Sequence, residues 1–184
     1  MVKKDEDVID LLQRQHREIR KLFTALETAE GEPRRDLFRD LVRLLAVHET
    51  AEELVVHPEI RHLEKTAVAV VEARLGEEHR SKEVLTTLQK IGPDADGFDK
   101  LLAQLRDDVL AHAKREEQEE FPLLRTHRPP ERLRAMAATV QVAEALAPTR
   151  PHAGVESAKA NLLLGPPAAI MDRARDLIRG ALGS

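Results

Sequence analysis

Apolar residues recur at alternating steps of three and four along most of this chain, the spacing of amphipathic helices, and a strand-like period of two is almost absent. The first helix is expected from about Asp7 to Ala29, with Ile9, Leu12, Ile19, Phe23 and Leu26 on its apolar face and His16 in the one gap of that series. Gly31 and Pro33 punctuate the chain there. A second helix then runs to about His57, carrying Leu37, Leu41, Leu44, His48, Glu52 and Val55 on one side, and Pro58 is expected to break or kink it. The third, from about Leu63 to Ile91, shares a stripe of Val68, Val71, Leu75 and His79. After Gly92-Pro93-Asp94 the fourth begins near Asp96 and turns Phe98, Leu101, Leu105, Asp108, His112 and Glu116 inward before Pro122. Four helices of this length with short connections predict an all-α, up-down-up-down four-helix bundle over residues 7–128.

Beyond Pro129-Pro130 the pattern changes. Residues 131–146 are alanine-rich and amphipathic and predict a fifth helix lying on the bundle; a loose stretch follows, then a last helix from Ala168 to Leu182. Residues 129–184 are thus expected to form a C-terminal helical extension that folds back on the bundle or joins copies of the chain into a homo-oligomer.

Four histidines, His16, His48, His79 and His112, fall one to a helix, and two are followed four residues later by Glu52 and Glu116. Residues four apart share a helix face, so each of those pairs can aim a nitrogen and a carboxylate at one point. A single histidine on an apolar face is ordinarily a hydrogen-bonded core residue. Here a metal-free core would have to satisfy four imidazoles and two carboxylates at once, whereas two metal ions would satisfy them together.

Composition restricts the chemistry further. The 184 residues contain no cysteine, tryptophan or tyrosine, which excludes disulfides, thiolate metal sites, cysteine nucleophiles and tyrosyl radicals. A net charge of −4 with interspersed signs offers no footprint for nucleic acid or an anionic membrane, and no stretch is apolar for long enough to cross a bilayer. The expected setting is cytoplasmic. Ferritin-like di-iron proteins need two Glu-x-x-His motifs and only Glu59-Ile60-Arg61-His62 matches; the zinc-peptidase signature would need a second histidine near His48-Glu49.

The constellation of His16, His48-Glu49-Thr50-Ala51-Glu52-Glu53, Glu78-His79, and His112-Ala113-Lys114-Arg115-Glu116-Glu117 with Phe121-Pro122-Leu123-Leu124 resembles the hemerythrin-like, or HHE cation-binding, family. The resemblance covers about residues 7–128. It implies a non-haem centre of two iron ions bridged by Glu52 and Glu116, with His16 and His48 on one iron and His79 and His112 on the other. Oxygen-carrying hemerythrins place a further histidine one turn before the third-helix ligand, where this chain has Leu75. Glu49 is the first choice to fill that position, with Glu83, His57 or water as alternatives. Asp108 is a candidate to orient His112, and His127 and His152 are read as bystanders in proline-rich loops.

Imidazole and carboxylate donors suit iron, manganese or zinc. With a coordination position open, the expected function is a di-iron protein that binds or turns over a small oxidant, peroxide, nitric oxide or dioxygen, as an oxidoreductase or scavenger. The alternative is an iron- or oxygen-sensing module without turnover.

Overall fold

The computed structural model describes residues 6–63, 67–146, 172 and 175–180. Its helices are α1 (Val8–Leu26), α2 (Gly31–Ala51), α3 (His57–Arg61), α4 (Ala67–Ile91), α5 (Phe98–Arg115), α6 (Phe121–His127) and α7 (Pro130–Leu146); among the described residues there is no strand. Asp7 starts α1 by accepting the Ile9 and Asp10 amides at 2.9 Å, satisfying donors that have no partner within the helix. Gly92 ends α4 and Gly97 precedes α5, both with positive φ, a conformation open to glycine at little cost.

The core consists of two apolar clusters. One gathers Val8, Ile9, Leu11 and Leu12 with Val55, Val56, Ile60, Val71, Phe121 and Leu124. The other gathers Ile19, Phe23 and Leu26 with Leu41, Leu45, Leu85, Leu88, Leu102 and Leu105. Between them each long helix carries buried polar residues: Gln15 and His16; His48, Glu49 and Glu52; Arg74, Glu78 and Ser81; His112 and Glu116. The chain meets these layers in one order along α1 and α4 and in the reverse order along α2 and α5. That alternation is the up-down-up-down bundle.

At Pro58, where a break or kink is expected, and at Pro122 the helices are interrupted without ending. A five-residue π turn, Glu52–Val56 or Glu116–Glu120, precedes each proline and passes directly into α3 or α6. Proline lacks an amide hydrogen and its ring crowds the carbonyl four residues back, and the wider turn accommodates both defects. The third helix also presents a different face from the one its apolar residues suggest. Val71, Arg74, Glu78, Ser81, Leu85 and Leu88 are buried at steps of three and four, while Val68 is 43% exposed.

The fifth helix lies on the bundle as α7, whose Leu133, Met136, Ala137 and Val140 complete the first apolar cluster together with Ile178. Residues 172 and 175–180 are helical. The rest of the expected last helix, and His152, lie outside the described residues.

Candidate metal centre

The polar layer brings six nitrogen and carboxylate side chains together. Donor atoms of His16, His48, Glu52 and Glu116 lie within 4.8 Å of one another, and so do those of Glu52, Glu78 and His112. Glu52 belongs to both groups. Glu116 joins them from the other side, with Oε2 3.2 Å from His16 Nε2 and Oε1 2.8 Å from His112 Nε2. His16 and His48 face each other with Nε2 atoms 3.1 Å apart, and His48 Nε2 is 3.4 Å from Glu52 Oε1.

The two π turns shape this layer. A His-x-x-x-Glu-Glu-x-x-x-x-Pro pattern occurs at His48–Pro58 and again at His112–Pro122. In each copy the residue before proline donates its amide to the carbonyl five residues back, His57 to Glu52 and Phe121 to Glu116. A turn closed over five residues returns residue i+5 to the face of residue i, where a regular helix would carry it past. His57 therefore enters the polar layer, with Nδ1 3.7 Å from Glu78 Oε1 and Nε2 3.6 Å from Glu120 Oε2. Its counterpart Phe121 stacks on His16 at 5.8 Å between ring centroids.

Each of the three facing imidazoles is held from behind by an oxygen. His16 Nδ1 meets Glu117 Oε1 at 2.8 Å, His48 Nδ1 meets Gln15 Oε1 at 2.8 Å, and His112 Nδ1 meets Glu77 Oε2 at 2.9 Å. Because these oxygens accept, Nδ1 carries a hydrogen, and each ring turns its Nε2 to the centre. This is the arrangement that fixes metal-bound histidines.

The central atoms lack hydrogen-bond partners. Both oxygens of Glu52, Glu116 and Glu120, both ring nitrogens of His57, Glu78 Oε1 and His112 Nε2 are buried without one. Their short contacts do not have hydrogen-bond geometry, and an unpartnered buried polar group costs on the order of 1–3 kcal/mol. Protonation records the same conflict. Burial and the neighbouring charge of Glu116 push Glu52 well above the ordinary carboxylate range. Burial and Glu49 push Glu78 up to about 8, and burial and Glu116 do the same for Glu120. Burial, reinforced by His16, lowers His48 to about 3. Burial alone would lower His112 and raise Glu116, yet their mutual attraction outweighs it, so His112 rises to about 9 and Glu116 falls well below normal. A cation among these donors would let the carboxylates ionise and the imidazoles stay neutral, and the donor set fits a metal of the iron, manganese or zinc type.

The sequence profile of the Hemerythrin HHE cation binding domain matches residues 7–124. The chain belongs to this family. The crystal structure of an HHE cation-binding domain-containing protein from Mycobacterium kansasii superposes with a TM-score of 0.71, covering 91% of this chain and 99% of that one at 18% identity. An uncharacterized hemerythrin-like protein of Schizosaccharomyces pombe is 24% identical over 174 residues, which are 93% of this chain and 86% of that protein. A DNA nickase of Nostoc sp. is 26% identical over 126 residues, 68% of this chain. The aligned region is 35% of the nickase.

Within this HHE domain, His16, His48, Glu52, His112 and Glu116 converge as their spacing suggests, whereas His79 does not. Its side chain is 75% exposed on the outer face of α4 and lies 3.5 Å from the equally outward Glu83. The preceding residue, Glu78, points inward, because the buried stripe of α4 runs Val71-Arg74-Glu78-Ser81. Leu75 packs beside the first apolar cluster. Glu49 is buried next to the layer, with Oε2 3.6 Å from Lys82 Nζ, and is not among the grouped donors. Asp108 is exposed, and Glu77 orients His112 in its place. Glu120, Gln15, Glu77 and Glu117 were not legible as site residues from spacing alone. The repeated His-x-x-x-Glu-Glu-x-x-x-x-Pro pattern was the available signal for His57.

Proposed function

We propose that this HHE domain holds two iron ions and binds or turns over a small oxidant: peroxide, nitric oxide or dioxygen. The observation that carries the proposal is the pair of donor groups sharing Glu52 and spanned by Glu116. On this reading His16 and His48 hold one ion. His112 and Glu78 hold the other, with His57 and Glu120 adjoining it, and the carboxylates of Glu52 and Glu116 bridge. When bound, a pair of irons supplies one-electron redox capacity shared over two ions, which reduction or capture of such oxidants draws on.

The chain's own residues do the rest. Gln15, Glu77 and Glu117 hold the imidazoles in one tautomer and one orientation. Ile19, Leu45 and Val109 form the apolar wall of a cavity of about 10 Å³ that also touches His16, His48 and His112. A cavity of that size accepts about one water-sized group, which supports a small ligand of one or two heavy atoms. The surrounding side chains keep bulk water out: the grouped donors are at most 7% exposed. No described helix is long and apolar enough to cross a membrane.

Because the chain lacks tryptophan and tyrosine, its own near-ultraviolet absorbance is weak and ferric bands stand out in the purified protein. Iron-loaded protein should change its spectrum on addition of peroxide or nitric oxide. Continued peroxide decay would indicate turnover, and a single saturable change would indicate sensing or storage. Full iron occupancy with no response to peroxide, nitric oxide or dioxygen would refute the oxidant reading.

A further inference from the structure

The proposed metal donors are almost completely enclosed, with His16, His48, Glu52, Glu78, His112 and Glu116 between 1% and 7% exposed. A metal ion therefore needs a route inward. We propose that it enters between α2 and α4 along the carboxylates Glu53, Glu49 and Glu78, with the Lys82 ammonium as the displaceable cation that occupies this route in the metal-free chain. The proposal rests on the reading that the centre holds metal.

Side-chain exposure falls stepwise along the route, from 21% at Glu53 to 8% at Glu49 and 1% at Glu78. Lys82 Nζ touches all three carboxylates, at 2.5 Å from Glu53, 3.4 Å from Glu78 and 3.6 Å from Glu49. Arg175 Nη2 also stands 3.3 Å from Glu53 Oε2, so two cations serve three carboxylates, both of them reaching the outermost and Lys82 alone reaching Glu49, and the route keeps an excess of carboxylates for an incoming divalent ion. Independently of this cluster, Glu78 Oε1 is buried with no hydrogen-bond partner, and Glu78 shares a donor group with Glu52 and His112. The cavity beside the centre is also lined by Glu49, Glu78 and Ser81, so the inner end of the route opens onto it.

Lysine suits a displaceable role. Its charge sits on a flexible four-carbon stem, and the Lys82 side chain is 23% exposed, so the head can swing to water when a divalent ion takes its place. The opposite approach is closed by a different kind of cation. Arg74 is 4% exposed, bonds to Glu77 at 2.6 Å and Glu119 at 2.8 Å, and stands 3.5 Å from Glu120. A planar guanidinium held by several carboxylates has no comparable freedom to leave.

The test is the rate at which ferrous iron alone, added anaerobically to the full-length metal-free chain, becomes inaccessible to a ferrous chelator. Glu53→Gln removes the outermost carboxylate without touching a donor to the centre. It should slow uptake by roughly 10-fold, the low end of what electrostatic focusing provides, while final iron content and spectrum match wild type. Lys82→Met should accelerate uptake, and Glu119→Gln, on the Arg74 side, should load at the wild-type rate. Wild-type rates in Glu53→Gln, or equal slowing in Glu119→Gln, would overturn the route while leaving the metal centre standing. No iron uptake by the wild-type chain would instead refute the metal reading and the route with it. Circular dichroism on each variant separates a rate effect from unfolding.

Discussion

Metal-free protein should lose stability as the pH rises from neutrality, and metal should abolish the loss. In the fold, burial and Glu49 hold the Glu78 carboxyl up to about 8, and burial and Glu116 do the same for Glu120. Unfolding returns both to an ordinary value of 4.5. The folded chain thus binds protons that the unfolded chain has released. The stability they represent is complete below the unfolded value and disappears as the pH passes the folded one. His112 has the same sign: its value is about 9 in the fold against 6.5 free, because Glu116 and Glu77 outweigh the effect of burial. His48 and His57, lowered to about 3 and about 4 mainly by burial, have the opposite sign. Their contribution is lost only as the pH falls below 6.5, so it is nearly constant above neutrality.

One proton of difference is worth about 1.4 kcal/mol per pH unit. Between about pH 7 and about pH 8.5 the folded chain holds the Glu78 and Glu120 protons for much of the interval and the His112 proton through most of it, while the unfolded chain holds almost none of them, which costs on the order of 1 kcal/mol apiece and about 3 kcal/mol together. For a chain of this size that corresponds to a fall in Tm of roughly 6–12 °C. Melting followed by circular dichroism across this range, after chelation and again after anaerobic iron loading, gives the comparison. With iron bound the carboxylates are already ionised, so the loaded protein should hold its Tm. A metal-free Tm that stays flat or rises with pH would refute the electrostatic description of the centre.

Exchanging His57 for alanine should lower the iron content by about half, whereas His79→Ala should leave iron content and spectrum unchanged; elemental analysis of the two variants reads both outcomes. Replacing Glu52 and Glu116 together with glutamine removes both bridges, so iron retention against a chelator should fall by at least about 10-fold. Truncation after Arg128 leaves every proposed ligand in place but uncovers the apolar cluster closed by Leu133, Met136, Ala137 and Val140. Leu133, Met136 and Val140 each contribute about 1.5–3 kcal/mol when buried, so the truncated chain should melt far lower or aggregate, even with iron present.

The bundle and the convergence of five polar side chains in its buried layer were legible in the sequence because they follow helical spacing directly. His16 fills a gap in an apolar series, and His48-Glu52 and His112-Glu116 are four apart. The assignment of His79 failed for a physical reason. On α4 the buried face carries Arg74, Glu78 and Ser81 in its middle, so hydrophobicity no longer marks the inward direction, and Val68, Leu75 and His79 suggested a face rotated away from it. His57 stood only among the alternatives to Glu49, beside a proline expected to break or kink the helix, and what helical spacing does not encode is the π turn there that brings residue i+5 onto the face of residue i. The outer partners Gln15, Glu77 and Glu117 depend on how neighbouring helices are rotated, which helical spacing within one segment does not encode.

The most direct measurement is anomalous diffraction at the iron edge from crystals of anaerobically loaded protein, with iron per chain determined on the same preparation. Two iron peaks per chain are expected, one beside His16 and His48 and the other beside His112 and Glu78, with Glu52 and Glu116 between them. A single peak at full occupancy, or a second peak beside His79, would contradict that arrangement.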